Sequence, residues 1–362
     1  MAAPDPGTFT RREGSAPGPG ARRDRAGAGR AHGKVILLGE HAVVYGAPAL
    51  ALPVPQLTVA AKATGHRWGR EGEEQVSFTM SGPGAASATP PATEGLRRLV
   101  AEFTLRTGPT GPVRVDVHID CAIPEGRGLG SSAACARAAV LALADLFERR
   151  LDAGAVFDLV QASENVAHGR ASGIDAVATG SSSLVLFRSG TVRELPVPLP
   201  GNGFVPPPGP AGGRTGGFDG LFVIADSGVS GSTREAVELL RQRFERDAGT
   251  RTDFVSRVAD LTDAAARALG DGRPGELGER MTENHELLHE AGLSTETIDA
   301  LVGAALAAGG LGAKISGGGL GGCMIALAGE PGHAEEVVRS LREAGAVRTW
   351  VVPVGRFARH AD

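Results

Sequence analysis

The sequence reads as a mixed α/β protein in two parts, and three observations carry that reading. Strand-like and helix-like hydrophobic patterns recur along most of its 362 residues, a length ample for two modest domains. Hydrophobic residues make up 42% of the chain, enough for a real core. The stretch P-V-P-L-P-G-N-G-F-V-P-P-P-G-P-A-G-G-R-T-G-G at 196–217 cannot form a packed element, which makes it a linker or surface loop between the parts.

Residues 1–30 hold six Arg among Gly, Ala and Pro, without the apolar core of a signal peptide. A disordered tail, or a start codon placed too early, is expected there. Val35 to Leu38 is a short apolar run between glycines and reads as a buried strand; Leu57 to Ala61 reads as another. Residues 64–75 and 81–92 read as loops, and Leu96, Leu99, Val100 and Phe103 suggest a helix. From 113 to 121, Val113, Val115, Val117, Ile119 and Cys121 alternate with Arg114, Asp116, His118 and Asp120, the period of a half-buried strand. Ala136, Val140, Leu143 and Phe147 then fall at helical spacing, as do Val156, Leu159, Val160 and Ser163 within Leu151 to Val166. Ser183 to Phe187 and Leu221 to Ala225 read as strands. Ser232-Thr233-Arg234-Glu235 is a capping box, predicting a helix with Val237, Leu240 and Phe244 inward. Helices at about 253–269, 276–291 and 294–308 follow, the last closed by Gly309-Gly310. A glycine-rich turn from Lys314 leads into an apolar strand, and a helix at about 333–344 and a strand from Thr349 to Val354 end the chain.

Between the strand ending at Cys121 and the helix after it lies Gly126-Arg127-Gly128-Leu129-Gly130-Ser131-Ser132. The glycines permit positive φ and close approach of an anion to the backbone. Ser131 can cap the helix, whose free N–H groups face the loop. A strand, a glycine loop and a helix start bearing hydroxyls describe a phosphate cradle; a plain tight turn is the simpler alternative. No Lys follows the last glycine, so it is not a Walker A loop.

Three segments together resemble the galactokinase, homoserine kinase, mevalonate kinase and phosphomevalonate kinase superfamily. They are G-K-V-I-L-L-G-E-H-A-V-V-Y-G from Gly33, P-E-G-R-G-L-G-S-S-A-A from Pro124 and K-I-S-G-G-G-L-G-G-C from Lys314. The wording E-H-A-V-V-Y-G, and E-N-x-x-H-G-x-x-S-G-I-D from Glu164 to Asp175, resemble the mevalonate kinase family within it. The resemblance implies an α/β (α+β) kinase fold, with an S5-like N-terminal domain at 31–217 and a ferredoxin-like C-terminal domain at 218–362. It implies ATP- and Mg²⁺-dependent phosphorylation of the 5-hydroxyl of (R)-mevalonate, on the mevalonate route to isoprenoids.

Moving a γ-phosphoryl needs a triphosphate cradle, Mg²⁺ on hard oxygen ligands and positive charge where charge shifts. By resemblance Gly126, Gly128, Leu129, Gly130, Ser131 and Ser132 hold the nucleotide, with Gly317, Gly318, Gly319 and Gly321 in a second backbone turn near the phosphates. Ser132 and Glu164 would be the metal ligands, Asp175 the general base and Lys34 the ammonium beside it. Glu40, His41 and Thr233 would line the acceptor pocket. The simpler roles are a capping serine, a solvated Glu, an Asp bracing its turn, a structural salt bridge at Lys34, a His bracing its loop and a Thr capping its helix. The family's usual A-P-G-K is here Ala31-His32-Gly33-Lys34, so a proline restraint is missing.

A net charge of −4 without a basic stripe in the body argues against a nucleic-acid partner. No run of about 18 apolar residues suggests a membrane span. Cys121, Cys135 and Cys323 lack metal or disulfide spacing and fit a reducing, cytoplasmic setting. A homodimer is left open. His285-Glu286-Leu287-Leu288-His289 matches a zinc-peptidase pattern, but no third ligand follows. Phosphomevalonate or another small hydroxy acid is the alternative substrate. A phosphorylated one should require an extra cation near residues 40–46, where none stands. A silent ATP-binding regulator is disfavoured by intact Lys34, Ser132, Glu164 and Asp175.

Overall fold

The computed structural model describes residues 25–67, 76–83, 90–108, 113–169, 171–197, 199 and 217–360. The Pro/Gly-rich stretch and residues 1–24 therefore lie almost wholly outside the described residues.

Strand β1 (Arg25–Leu38) runs antiparallel to β2 (Ala49–Arg67) along nearly its whole length. On its other edge β2 pairs with β4 (Val113–Cys121) and with β5 (Leu184–Arg188). Strand β3 (Val76–Ser81) lies parallel to β4 and β6 (Thr191–Leu195) antiparallel to β5, completing a six-stranded sheet. Three helices pack with it: α1 (Pro90–Thr107), α2 (Ser131–Leu146) and α3 (Ala153–His168). A short α4 (Ile174–Ala178) follows them.

Residues 25–30, expected in a disordered tail, form the first half of β1. Gly27 and Gly29 face α2 so closely that a Cβ on them would lie 2.2 Å from the Leu146 nitrogen and 2.1 Å from the Ala138 carbonyl. Glycine here lets helix and strand pack backbone to backbone. β2 is likewise one strand of 19 residues rather than the short run Leu57 to Ala61.

The second sheet has the order β10-β7-β9-β8, all antiparallel, from β7 (Gly220–Asp226), β8 (Gly312–Ser316), β9 (Cys323–Ala328) and β10 (Arg348–Val354). With helices between β7 and β8 and between β9 and β10, this is the ferredoxin-like order. The first connection carries α5 (Thr233–Arg246), α6 (Ala248–Gly270), α7 (Pro274–Glu290) and α8 (Glu296–Ala307); the second carries α9 (Pro331–Glu343). α5 buries Ala236, Leu240 and Phe244, whereas Val237, expected inward, is exposed. The two sheets place three glycine-bearing segments at one seam: the ends of β1 and β4, and the turn between β8 and β9.

Candidate active site

Gly126, Gly128 and Gly130 adopt φ of 68°, 74° and 76°, a left-handed conformation that explains glycine at every second position of the loop. Glycine also permits contact: a Cβ on Gly128 would lie 3.0 Å from the Ser316 carbonyl, and one on Gly130 would press on Lys34. Gly130, not Ser131, is the N-cap of α2, and no side chain caps that end. The first-turn N–H groups of a buried, apolar 16-residue helix are thus aimed into the loop with the Ser131 and Ser132 hydroxyls beside them.

Lys34 is the hub of the first segment. Its side chain is 4% exposed, and its Nζ lies 3.1 Å from Oδ1 of Asp175 and donates to the Gly128 carbonyl at 3.0 Å. Asp175 stands in the first turn of α4, after Gly173 in the left-handed region, with its side chain 35% exposed to the cleft. Across the cleft Ser132 donates to Glu164 at 2.6 Å. Glu164 is buried; burial pushes its carboxyl up, His168 at 3.7 Å opposes this, and the charge of Asp175 adds to it. A carboxylate and a hydroxyl so placed are hard oxygen donors of the kind Mg²⁺ takes, and a cation there would offset the desolvation of Glu164.

The third segment closes the seam. Gly317, Gly319, Gly321 and Gly322 have positive φ, and Gly317 packs on Gly128 so tightly that a Cβ would lie 2.7 Å from its Cα. Ser232 caps α5 by accepting from the Glu235 N–H, so Thr233 is released from capping and its hydroxyl faces Gly318.

One cleft is walled by Gly126, Gly128, Gly130, Ser131, Ser132, Glu164, Asp175, Thr233, Gly318 and Gly319. Most of the expected site residues meet there. Leu129 does not: its side chain is in the core and its carbonyl accepts from the Lys34 N–H. Gly317 is occupied by its contact with Gly128. Glu40 turns inward, where its carboxylate pairs with Lys314, wholly buried in β8. His41, at φ 59°, leans toward Gly319, and burial plus the facing Lys314 ammonium hold its imidazole down at about 4. Nothing in the spacing around Lys314 marks its partner, although a lone Lys in a buried strand demands a buried acid.

The zinc-peptidase pattern serves packing instead. His285 Nδ1 accepts from the Ile315 N–H, while the second nitrogen lies 3.3 Å from Asp299, which also meets His289 at 3.0 Å. Among the described residues no three His, Cys, Asp or Glu gather as metal ligands. No helix among them is long and apolar enough to cross a membrane.

Comparison with known proteins agrees with this geometry. The GHMP kinase N-terminal domain model matches residues 95–183 and the C-terminal model residues 265–347. A mevalonate kinase of Pyrococcus abyssi (strain GE5 / Orsay) is 32% identical over 333 residues, covering 86% of this chain and 91% of that protein. The chain belongs to the mevalonate kinase family. Among solved structures, L. major mevalonate kinase in complex with R-mevalonate shares the fold at TM-score 0.74 and 22% identity, over 92% of this chain and 98% of that one. A mevalonate kinase from methicillin-resistant Staphylococcus aureus matches at TM-score 0.64 and 26% identity, over 90% and 98%. As a member of this family the chain is a kinase, and ATP is its co-substrate.

Proposed function

We propose that this kinase transfers the γ-phosphoryl of ATP to the 5-hydroxyl of (R)-mevalonate, in the cleft between a lobe ending near residue 217 and a ferredoxin-like lobe beginning at 218. The observation that carries the reading is the chain Asp175–Lys34–Gly128, with contacts of 3.1 and 3.0 Å. It sets a carboxylate, an ammonium and the phosphate loop within one reaction volume. Asp175 keeps an open oxygen to accept the alcohol proton as the oxygen attacks. The Lys34 ammonium, 3.1 Å away, orients that carboxylate and offsets charge developing between acceptor and phosphoryl group. The glycine loop and the free N–H groups of α2 cradle the triphosphate. Ser132 and Glu164 would hold Mg²⁺, which when bound neutralises charge on the phosphates. Thr233 and His41 stand on the acceptor side, and the neutral His41, whose one N–H faces the Gly318 backbone, adds no charge there.

A coupled assay of ADP release with mevalonate, phosphomevalonate, galactose and homoserine tests the reading. Turnover is expected with mevalonate and not with the others. Preference for phosphomevalonate would overturn the substrate, and ADP release with none of them would overturn the acceptor class.

A further inference from the structure

Arg127 occupies the middle of the phosphate loop, where a cation would be placed to meet a triphosphate. It does not line the cleft. Its guanidinium turns to the other lobe. Nε lies 2.9 Å from Oδ1 of Asp226 at the end of β7, Nη1 donates to the Ser230 hydroxyl at 2.8 Å, and Nη2 donates to the Gly228 carbonyl at 3.0 Å. The pair is shielded, with side chains 16% and 4% exposed. Asp226 in turn accepts from the Gly228 N–H at 2.9 Å, so it holds the same turn from the other side. Backbone contacts follow the seam: the Gly231 N–H donates to the Gly126 carbonyl at 3.0 Å, and a Cβ on Gly322 would lie 3.0 Å from the Arg127 carbonyl. Two residues after Ser230 come Ser232, the cap of α5, and then Thr233 on the cleft wall.

Two hydrogen-bond acceptors in different directions, with a carboxylate 2.9 Å from Nε, suit a planar fork and not a point charge. The turn they fix carries the acceptor side of the cleft, while the residue that fixes them belongs to the nucleotide side. We propose that Arg127 is a positioning residue that couples the two halves of the site, holding the turn between β7 and α5, and with it Thr233, in register with the phosphate loop. Ordering the loop around a triphosphate then orders the acceptor wall, and an acceptor seated against Thr233 orders the loop. Each substrate favours the other, by the same factor in both directions. The inference rests on the kinase reading above.

The test is the dissociation constant of a non-hydrolysable ATP analogue, with Mg²⁺, measured on the full chain with and without saturating mevalonate. In the wild type, mevalonate should tighten the analogue by about 5-fold or more. Arg127→Lys keeps a cation beside Asp226 but reaches one acceptor only. Its coupling factor should fall toward 1 while analogue affinity without mevalonate holds. Arg127→Met with Asp226→Asn removes both charges together, buries none alone and should give the same loss, so the test survives if Arg127→Met does not fold. A purely structural role would lower the melting temperature and leave the ratio unchanged. A wild type that binds both ligands without coupling, or variants that keep the wild-type factor, would overturn the inference. A wild type that binds the analogue but not mevalonate would instead remove the substrate reading, and this inference with it.

Discussion

Two lysine–carboxylate pairs sit a short way apart in this molecule, and their difference separates chemistry from architecture. Lys34 and Asp175 have side chains 4% and 35% exposed; Lys314 and Glu40 have 0% and 3%. Both ammonium groups are buried, so exposure of the acid decides the outcome. Asp175 keeps an oxygen open to the cleft, from which it can take a proton. Glu40 is closed in, with its second oxygen lacking a partner among the described residues, and its pair ties the loop after β1 to β8 across the seam. An open acid can react. A sealed one can only hold.

The largest effect expected from breaking this contrast is at Asp175. Asp175→Asn keeps the shape and a hydrogen bond to Lys34 but removes the carboxylate proposed as base, so kcat should fall by roughly 10²–10⁴-fold. Binding of an ATP analogue should stay close to wild type. Turnover near normal would show that the open acid is no base.

Breaking the sealed pair should act on stability first. Lys314→Met leaves the Glu40 charge buried and alone, costing about 3–5 kcal/mol in denaturant unfolding. Adding Glu40→Gln removes the orphaned charge and should recover most of that loss. A double variant no more stable than the single one would mean that the ion pair is not the source of the cost.

Glu164 is also buried, with a hydroxyl and a more distant imidazole as its nearest polar partners among the described residues. If it awaits a cation, Glu164→Gln should raise the Mg²⁺ concentration for half-maximal rate by about tenfold or more, the scale on which weakened support of a metal ligand is felt. An unchanged Mg²⁺ titration would class Glu164 with Glu40 as structural.

How much of this was legible in the sequence depended on what each glycine was for. Gly126, Gly128 and Gly130 answer a local demand, positive φ at every second position of one loop, so the chain displays them as a pattern. Gly27 and Gly29 answer a distant one, the approach of α2 more than 100 residues later, and locally they look like a loose tail. Lys314 carries no local mark for a related reason: its acid lies 274 residues away, and no spacing within β8 announces it. Ser232 and Glu235 marked the start of α5 correctly, yet the buried face fell on Ala236 in place of Val237, because packing on the neighbouring helix selects the face and the cap does not.

The smallest expected effect reads the sealed pair through its neighbours. Burial, together with Lys314, lowers both His41 and His285 to about 4, so both are neutral in the native protein near pH 7. Asp299 works against this at His285, but burial prevails. An unfolded chain protonates the same histidines near pH 6.5, so below that pH it binds more protons than the fold does. Stability should therefore be full above pH 6.5 and fall as the pH drops toward 4, by about 1–2 kcal/mol per histidine between pH 6.5 and 5. Glu164, whose carboxyl is raised by burial, runs the other way and relieves part of the loss as it protonates. Denaturant midpoints at pH 7 and pH 5 measure the slope, and the Glu40→Gln, Lys314→Met double variant isolates its cause. Without the ammonium the two histidines keep only their burial penalty, and the slope should flatten. An unchanged slope would show that Lys314 does not reach them, and the sealed pair would then be a clasp with no electrostatic hold on the acceptor side.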